Sequence, residues 1–400
     1  SAVRLAIQEE QKTTVEVSGD TNTSSGNIQK EKKEEEKAPP TFLGITFSFK
    51  NNLFIKHCLF FAVGLAAFIV LSHMDYHVLG SRRGFRIVVL LSILLLGLVL
   101  LPGIGVKVGG ARRWINLGPL GGFQPSEFAK LALIVLLSVK LTQNQESVRR
   151  SWRGMIPPFC IALFFAGLVA AERDIGIPVV MMATAFLMVF VSGGSVPILS
   201  GIAALGVGGL TAMIYFFPHR MVRIYAFLDP WDFRKESGWQ LIQSLSAFAQ
   251  GGLLGKGGGA GEQKLGYLPA AHTDFIFATI GEEYGFIGSL IVVTIFLILT
   301  FAAIRVAMNA PDLFGALLAT GICTMITFQA AFIIAVNIGM LPTKGLPLPF
   351  VSSGGTALMI YLAMAGILTN IGAQARESTT KRRTPAISQD RRKRAVATAA

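Results

Sequence analysis

Charged side chains are scarce in this chain of 400 residues: Asp, Glu, Lys and Arg make up 15% of it, against about a quarter in soluble domains. That shortage excludes an ordinary soluble globular protein. Cysteine is thin as well. Cys58, Cys160 and Cys323 lie in separate apolar runs without metal-ligand spacing, so they read as small core residues, neither a disulfide framework nor a ligand set. There are five histidines, and His219 and His272 lack a cysteine or carboxylate at ligand spacing, which argues against a protein-ligated metal. A nucleotide loop is missing too, because the glycine-rich string GGLLGKGGGAG at 251–261 departs from the GxxxxGK[ST] order and follows no hydrophobic strand. Close backbone approach and flexibility are the uses left for it.

Apolar residues are what the chain has in plenty, 52% of the total with a mean hydropathy of +0.57. Nine apolar runs, at 54–74, 86–106, 126–142, 155–171, 176–192, 195–217, 285–306, 313–336 and 355–372, are long enough to approach or cross about 30 Å of hydrocarbon. Lipid-exposed backbone must satisfy its own hydrogen bonds, which leaves helices for runs this apolar. The expected fold is therefore an all-α polytopic membrane protein with about nine transmembrane helices. Residues 1–50 open on a polar stretch, 1–40, containing KEKKEEEK at 30–37, and are expected to be disordered. The transmembrane domain covers 51–373, with a large extracytoplasmic loop at 218–274, and 374–400 form a basic cytoplasmic tail carrying eight Lys and Arg against Glu377 and Asp390. Such a tail fixes orientation or touches anionic lipid more readily than it binds nucleic acid. With the tail inside, the arginines at 82, 83, 149, 150 and 153 fall inside too, and Lys107, Arg112 and Arg113 speak against this assignment.

The longest polar interruption, 238–285, holds one carboxylate set among aromatics, Asp274, flanked by His272, Thr273, Phe275 and Phe277. Two uses compete for it. Asp is a favoured N-cap, and a helix could start at Phe275; alternatively, a desolvated carboxylate suits a general base. Burial against Phe275 and Phe277 would raise its pKa, and Lys256 or Lys264 would lower it.

Other charged groups cluster at the ends of the spans. In GARRWINLGPLGGFQPSEFAK (110–130), Arg113 and Trp114 precede a helix opened by Pro125 and Ser126, with Glu127 and Lys130 three residues apart on one face and able to pair. Trp114 alone could be an interface anchor. AERDIGIP (171–178) sets Glu172, Arg173 and Asp174 between two spans, where charges are costly unless paired or functional, and a salt-bridged turn is favoured. The stretch after 217 carries His219, Arg220, Arg223, Asp229 and Asp232; its arginines could grip phosphate oxygens or lipid headgroups. LPTKGLPLPFVSSGG (341–355) reads as a re-entrant element presenting Lys344 and Ser352, and irregular backbone at membrane depth is tolerated only where it lines a cavity.

The strings KLGYLPAAHTDFIFATIGEEYG (264–285), GARRWINLG with FQPSEFAK, SGWQLIQSLSAFAQGG (237–252) and LPTKGLPLPFVSSGG occur in order over about 52–372 and resemble the SEDS family of peptidoglycan glycosyltransferases, the FtsW, RodA and SpoVE type. YLPAAHTDFIF and LPTKG look more like the division type, FtsW, than the elongation type, RodA. The family has ten spans, and the run at 54–74 matches its second, so 1–40 is expected to stand where the first would be. The resemblance implies catalysis by Asp274 and substrate binding by Arg113, Trp114, Lys130, Asp174, Arg223, Gln240, Gln243, Ser244, Lys264, His272, Thr273, Lys344 and Ser352. Three departures stand out: Arg173 replaces a family proline, and Gly266 and Ala270 replace glutamates of typical division-type members.

The resemblance thus implies an inverting polymerase of lipid II, the undecaprenyl-pyrophosphate disaccharide peptide, making β-1,4 glycan at the division septum with its site on the extracytoplasmic face of the bacterial inner membrane. A class B penicillin-binding protein transpeptidase and divisome membrane proteins would be its partners, with no nucleic acid. No motif binds a cofactor, and a divalent cation (Mg or Mn) is left open as an aid to the leaving group. Three rivals stand beside this reading: a lipid II flippase, an elongation-type polymerase and a non-catalytic scaffold. A flippase needs polar groups through the membrane depth, whereas here they concentrate at the outer end.

Overall fold

The computed structural model describes residues 41–42, 45–46 and 53–398 apart from 109–110, 119–120, 173, 217, 235–236, 264–267 and 269. The chain forms two units, Ser1–Asn52 and Leu53–Ala400. In the first, β1 (Thr41–Phe42) pairs antiparallel with β2 (Ile45–Thr46), within the stretch 1–50 expected to be disordered; the rest of that stretch lies outside the described residues.

The second unit is a helical bundle, and each of the nine apolar runs falls on a helix. Seven helices are long and apolar enough to cross a membrane among the described residues. They are α1 (Leu53–His73), α3 (Arg82–Leu100), α6 (Trp152–Ala171), α8 (Val196–Phe216), α11 (Ile276–Asn309), α12 (Leu313–Asn337) and α13 (Gly355–Thr398). Two more complete the set. The helix α7 (Gly176–Val191) is apolar but only 16 residues long, and α4 (Pro125–Gln143) carries Glu127, Lys130 and Lys140. That helix is the axis of the bundle, with most of its side chains buried and α3, α6, α7, α12 and α13 packed around it. By contrast, only 6% of the apolar window of α1 and of α8 is covered by protein, as expected of helices whose solvent is lipid. Short helices α2 (His77–Gly80), α5 (Gln145–Arg150), α9 (Pro218–Leu228) and α10 (Ser237–Gly251) cap or connect the spans.

Three boundaries differ from expectation. The second run ends as helix at Leu100, and Val106 belongs to a small antiparallel sheet of β3 (Gly105–Val108), β4 (Ala111–Asn116) and β5 (Gly122–Phe123). The stretch 218–274 contains α9 and α10. Finally, α11 starts nine residues before Gly285, which sits inside it as a kink with φ 65° and ψ −160°. The glycine cluster explains that kink, because two backbones meet there without side chains between them. Phe286 N donates to Gly252 O at 2.9 Å and Lys256 N to Glu282 O at 3.0 Å, and a Cβ on Gly251 would sit 1.9 Å from Gly281 O. Close approach, one of the two uses left for these glycines, is what this packing requires.

Candidate active site

Asp274 sits in a tight turn that delivers the chain into α11. Ala270, in the left-handed region at φ 57°, points its carbonyl at the amides of Thr273 (3.0 Å), Asp274 (3.1 Å) and Phe275 (3.3 Å). The N-cap of α11 is Phe275, with no side-chain cap hydrogen bond, so the capping use of Asp274 is not the one adopted. Its backbone is clamped instead: Asn337 Nδ2 donates to Asp274 O at 3.0 Å, and Asn337 Oδ1 accepts from Ala278 N at 3.1 Å.

The segment 341–354 between α12 and α13 forms the opposite wall. It is irregular backbone with Leu346, Leu348 and Ser352 buried, as expected of an element lining a cavity. Ser352 Oγ donates to Thr273 O at 2.6 Å and accepts from Leu348 N at 2.7 Å. Ser353 donates twice to His272 O, from N at 3.0 Å and from Oγ at 2.7 Å. Between these ties Gly345 faces the carboxylate, and a Cβ there would stand 2.7 Å from Asp274 Oδ2. Ser352 thus meets Thr273, and Ser353 meets His272, through hydroxyls and main-chain carbonyls. Lys344 is half-buried beside Gly345.

A second cluster adjoins the first. Arg113 Nη1 lies 3.5 Å from Asp174 Oδ2, and Arg113 Nε donates to Glu172 O at 3.3 Å; Asp174 Oδ1 accepts from Gly176 N at 2.9 Å and shapes the start of α7. The favoured salt-bridged turn is therefore present, with its partner supplied by β4, and Arg173 lies outside the described residues. Burial and then Asp174 push the Glu172 carboxyl up to about 8, against Arg113 and Ser126. The Ser126 hydroxyl is near enough to favour the anion without closing a well-aligned hydrogen bond, so both Glu172 oxygens stay buried and unpaired. Burial likewise pushes Asp274 up to about 6, opposed by the Thr273 hydrogen bond, reinforced by Asp174 and opposed again by Arg113. Phe275 and Phe277 are both buried, and desolvation wins the contest left open by the sequence. Lys256 does not enter it, being held by Gln250 at 2.5 Å and by Glu262 and Glu282 at 3.4 Å. Lys264 lies outside the described residues.

Lys130 is enclosed, at 0% exposure. It pairs with Glu127 Oε2 at 2.7 Å and donates to Gln329 Oε1 at 2.9 Å and Tyr361 Oη at 2.8 Å. Two of the ammonium protons are hydrogen-bonded, and the third side of the group faces Glu127 as an ion pair without a well-aligned hydrogen bond. Gln329 passes the contact on, donating from Nε2 to Pro347 O at 2.8 Å in the segment facing Asp274.

The remaining expected residues lie apart from these clusters. The ring of Trp114 covers Gly122, where a Cβ would approach within 2.9 Å. Ser244 donates to Asn337 O at 2.7 Å and ties α10 to α12. Gln240 and Gln243 are half-buried on α10, and Arg223 is exposed on α9. Sequence reasoning missed Asn337, Gln329, Tyr361 and Glu282. For the first three the signal available was a lone polar group within an apolar run, where it is costly unless partnered; Glu282, beside Glu283 in a polar stretch, carried no such signal.

Among the described residues no group of three or more His, Cys, Asp or Glu is arranged to hold a metal ion. The orphaned oxygens of Glu172 lie beside Arg113, whose charge competes for them, so the donor set does not fit a bound divalent cation.

Residues 44–377 match the family described as Cell cycle protein, comprising FtsW, RodA and SpoVE. A protein of Geobacter sp. (strain M18) named "Probable peptidoglycan glycosyltransferase FtsW" is 40% identical over 321 residues, 80% of this chain and 87% of that protein. Stage V sporulation protein E of Bacillus subtilis (strain 168) is 36% identical over 332 residues, 82% of this chain and 90% of its own length. Among solved structures, a chain described under "Structural coordination of polymerization and crosslinking by a peptidoglycan synthase complex" aligns with a TM-score of 0.68 at 29% identity, over 81% of this chain and 90% of that one. The rod shape determining protein RodA of Thermus thermophilus aligns with a TM-score of 0.58 at 28% identity, over 81% and 88%. On sequence and on fold alike, this multi-pass membrane protein belongs to the FtsW, RodA and SpoVE family.

Proposed function

We propose that the chain is a peptidoglycan glycosyltransferase of the division type, polymerising lipid II into β-1,4 glycan strands at the septum. One observation carries the reading: Asp274 is a half-buried carboxylate at the mouth of the bundle, excluded from capping, raised toward neutrality by burial and faced by a glycine that leaves room beside it. A base with such a pKa is poised to work at neutral pH.

In the proposed reaction Asp274 takes the proton of the acceptor GlcNAc 4-hydroxyl as its oxygen attacks the anomeric carbon of the donor. The C–O bond to undecaprenyl pyrophosphate breaks on the opposite face, so configuration inverts. Charge developing on the pyrophosphate is met by Arg113, and by Lys344 once substrate is seated. Lys130 does not touch it, since its donors are already committed; its part is to hold α4, α12 and α13 together. No step is routed through a divalent cation. The site faces the outside of the bacterial inner membrane, with a class B penicillin-binding protein as the crosslinking partner. A relative solved in a peptidoglycan synthase complex supports that partnership.

The test is polymerisation of purified lipid II by the purified protein, with and without its cognate transpeptidase, read as glycan chain length on gels. Product from the wild type and none from Asp274→Asn is expected. Full activity in the variant would overturn the general-base assignment, and no product under either condition would overturn the polymerase reading.

A further inference from the structure

A half-open pocket lies at the other end of the axial helix. It holds about 380 Å³ and is lined by Lys140 and Asn144 from the end of α4, Ser147 from α5, and Ser151, Arg153 and Pro157 at the start of α6, among others. From Glu127 to Asn144 is 17 helical steps, about 25 Å at 1.5 Å per residue, so the pocket sits near the far boundary of a bilayer whose hydrocarbon is about 30 Å thick.

Its charge is one-sided. Lys140 and Arg153 line it, no acidic residue does, and neither cation forms an ion pair among the described residues. Neighbouring arginines are engaged elsewhere: Arg149 Nε donates to Ser192 O at 3.4 Å, and Arg150 pairs with Glu146 at 3.7 Å. The Arg153 guanidinium lies over the ring of Trp152, 5.5 Å from its centroid. Trp152 is 55% exposed, and an exposed tryptophan at the end of a span marks the headgroup level. Below it on α6, Ile156, Leu163 and Phe164 are exposed, at spacings that continue one face of the helix. Cations and hydroxyls above a lipid-facing apolar stripe match a ligand with an anionic head and acyl chains.

We propose that this pocket binds the phosphodiester headgroup of an anionic phospholipid, with its acyl chains along the Trp152 to Phe164 face of α6. Free phosphate shares the head chemistry but has nothing to place on that stripe.

Native mass spectrometry of the full chain in detergent, titrated with phosphatidylglycerol or phosphatidylcholine, tests the proposal. Phosphatidylglycerol should bind about ten times more tightly than phosphatidylcholine, the scale of one or two charge contacts at about 1 kcal/mol each. The Lys140→Gln/Arg153→Gln double variant should lose that preference, while Arg150→Gln, outside the lining, keeps it. A thermal unfolding midpoint like the wild type's establishes that the double variant is folded. If it is not, arginine-selective labelling of the wild type decides instead: protection of Arg153 by phosphatidylglycerol supports the site, and unchanged labelling overturns it. Equal binding of the two lipids, or an unchanged preference in the double variant, also overturns the site. Displacement of phosphatidylglycerol by millimolar inorganic phosphate overturns the lipid assignment in favour of a soluble phosphate.

Discussion

Replacing Asp274 by Asn should make the protein both inactive and more stable, and the gain in stability should depend on pH in a definite direction. Burial raises the carboxyl from 3.8 to about 6 in the folded chain, so the folded state holds this proton more tightly than the unfolded state does. Ionising the group therefore costs stability. The cost is absent below about pH 4, grows as pH rises toward 6, and is complete above that. A shift of about two units corresponds to about 3 kcal/mol, and partial exposure of the side chain lowers the expectation to about 1–3 kcal/mol. Asn has nearly the same shape and never ionises. Its thermal unfolding midpoint in detergent should exceed the wild type's at pH 8, and the two should converge at pH 4. Polymerisation should fall by about 100- to 10,000-fold, the range for loss of a general base. Wild-type activity should climb about tenfold per pH unit up to pH 6 and then level off. A stability difference that ignores pH, or an Asn variant less stable than wild type at pH 8, would refute the account of Asp274 as a desolvated base.

Arg113 holds the Asp274 pKa down, so Arg113→Gln should move the acid limb of the pH–rate profile upward by about half a unit to one unit, measured against wild type on the same lipid II preparation. Lys130→Met strands Glu127 inside the bundle and should cost about 3–5 kcal/mol, whereas Glu127→Gln/Lys130→Met should recover most of it; unfolding midpoints of the four proteins close the double-mutant cycle, and additive losses would contradict the pairing. Gly345→Ala drives a methyl to within 2.7 Å of Asp274 Oδ2, so glycan synthesis should drop sharply while the unfolding midpoint stays near the wild type's.

The spans were legible because lipid imposes one rule on every segment that meets it, and runs such as 313–336 satisfy that rule with no help from neighbours. The start of α11 was half legible: a helix from Phe275 is one of the two uses offered for Asp274, yet the apolar run is read only from Gly285. Glu282 turns inward and accepts from the amides of Glu262 at 2.8 Å and Gln263 at 3.1 Å, which lets the helix run through. That partnership is tertiary and leaves no local trace. Asp274 stood out as the one carboxylate among aromatics, yet the choice between cap and base rested on the turn at Ala270, whose left-handed backbone no rule for alanine predicts. The network around Lys130 was half visible. Glu127 is three residues away, but Gln329 and Tyr361 are 199 and 231 residues off, and nothing in either apolar run says which lysine it serves.

That distance bears on how a lysine sealed inside the bundle can matter to chemistry at its mouth. A buried ion pair is a poor source of net stability, because taking both charges out of water offsets most of their attraction. What this one supplies is direction. Lys130 fixes Gln329, Gln329 fixes Pro347 O, and the segment carrying Pro347 holds Thr273 and His272 through Ser352 and Ser353. Each link is a directional hydrogen bond from one element to the next, running from the axial helix to the turn that presents Asp274. An apolar side chain at 130 could fill the same volume but could not aim the Gln329 amide, and the carboxylate would then rest on packing alone. The turn bearing Asp274 is strained at Ala270 and its carboxyl is costly to ionise, so it needs a scaffold that holds it against relaxation; the lysine supplies one from within the bundle.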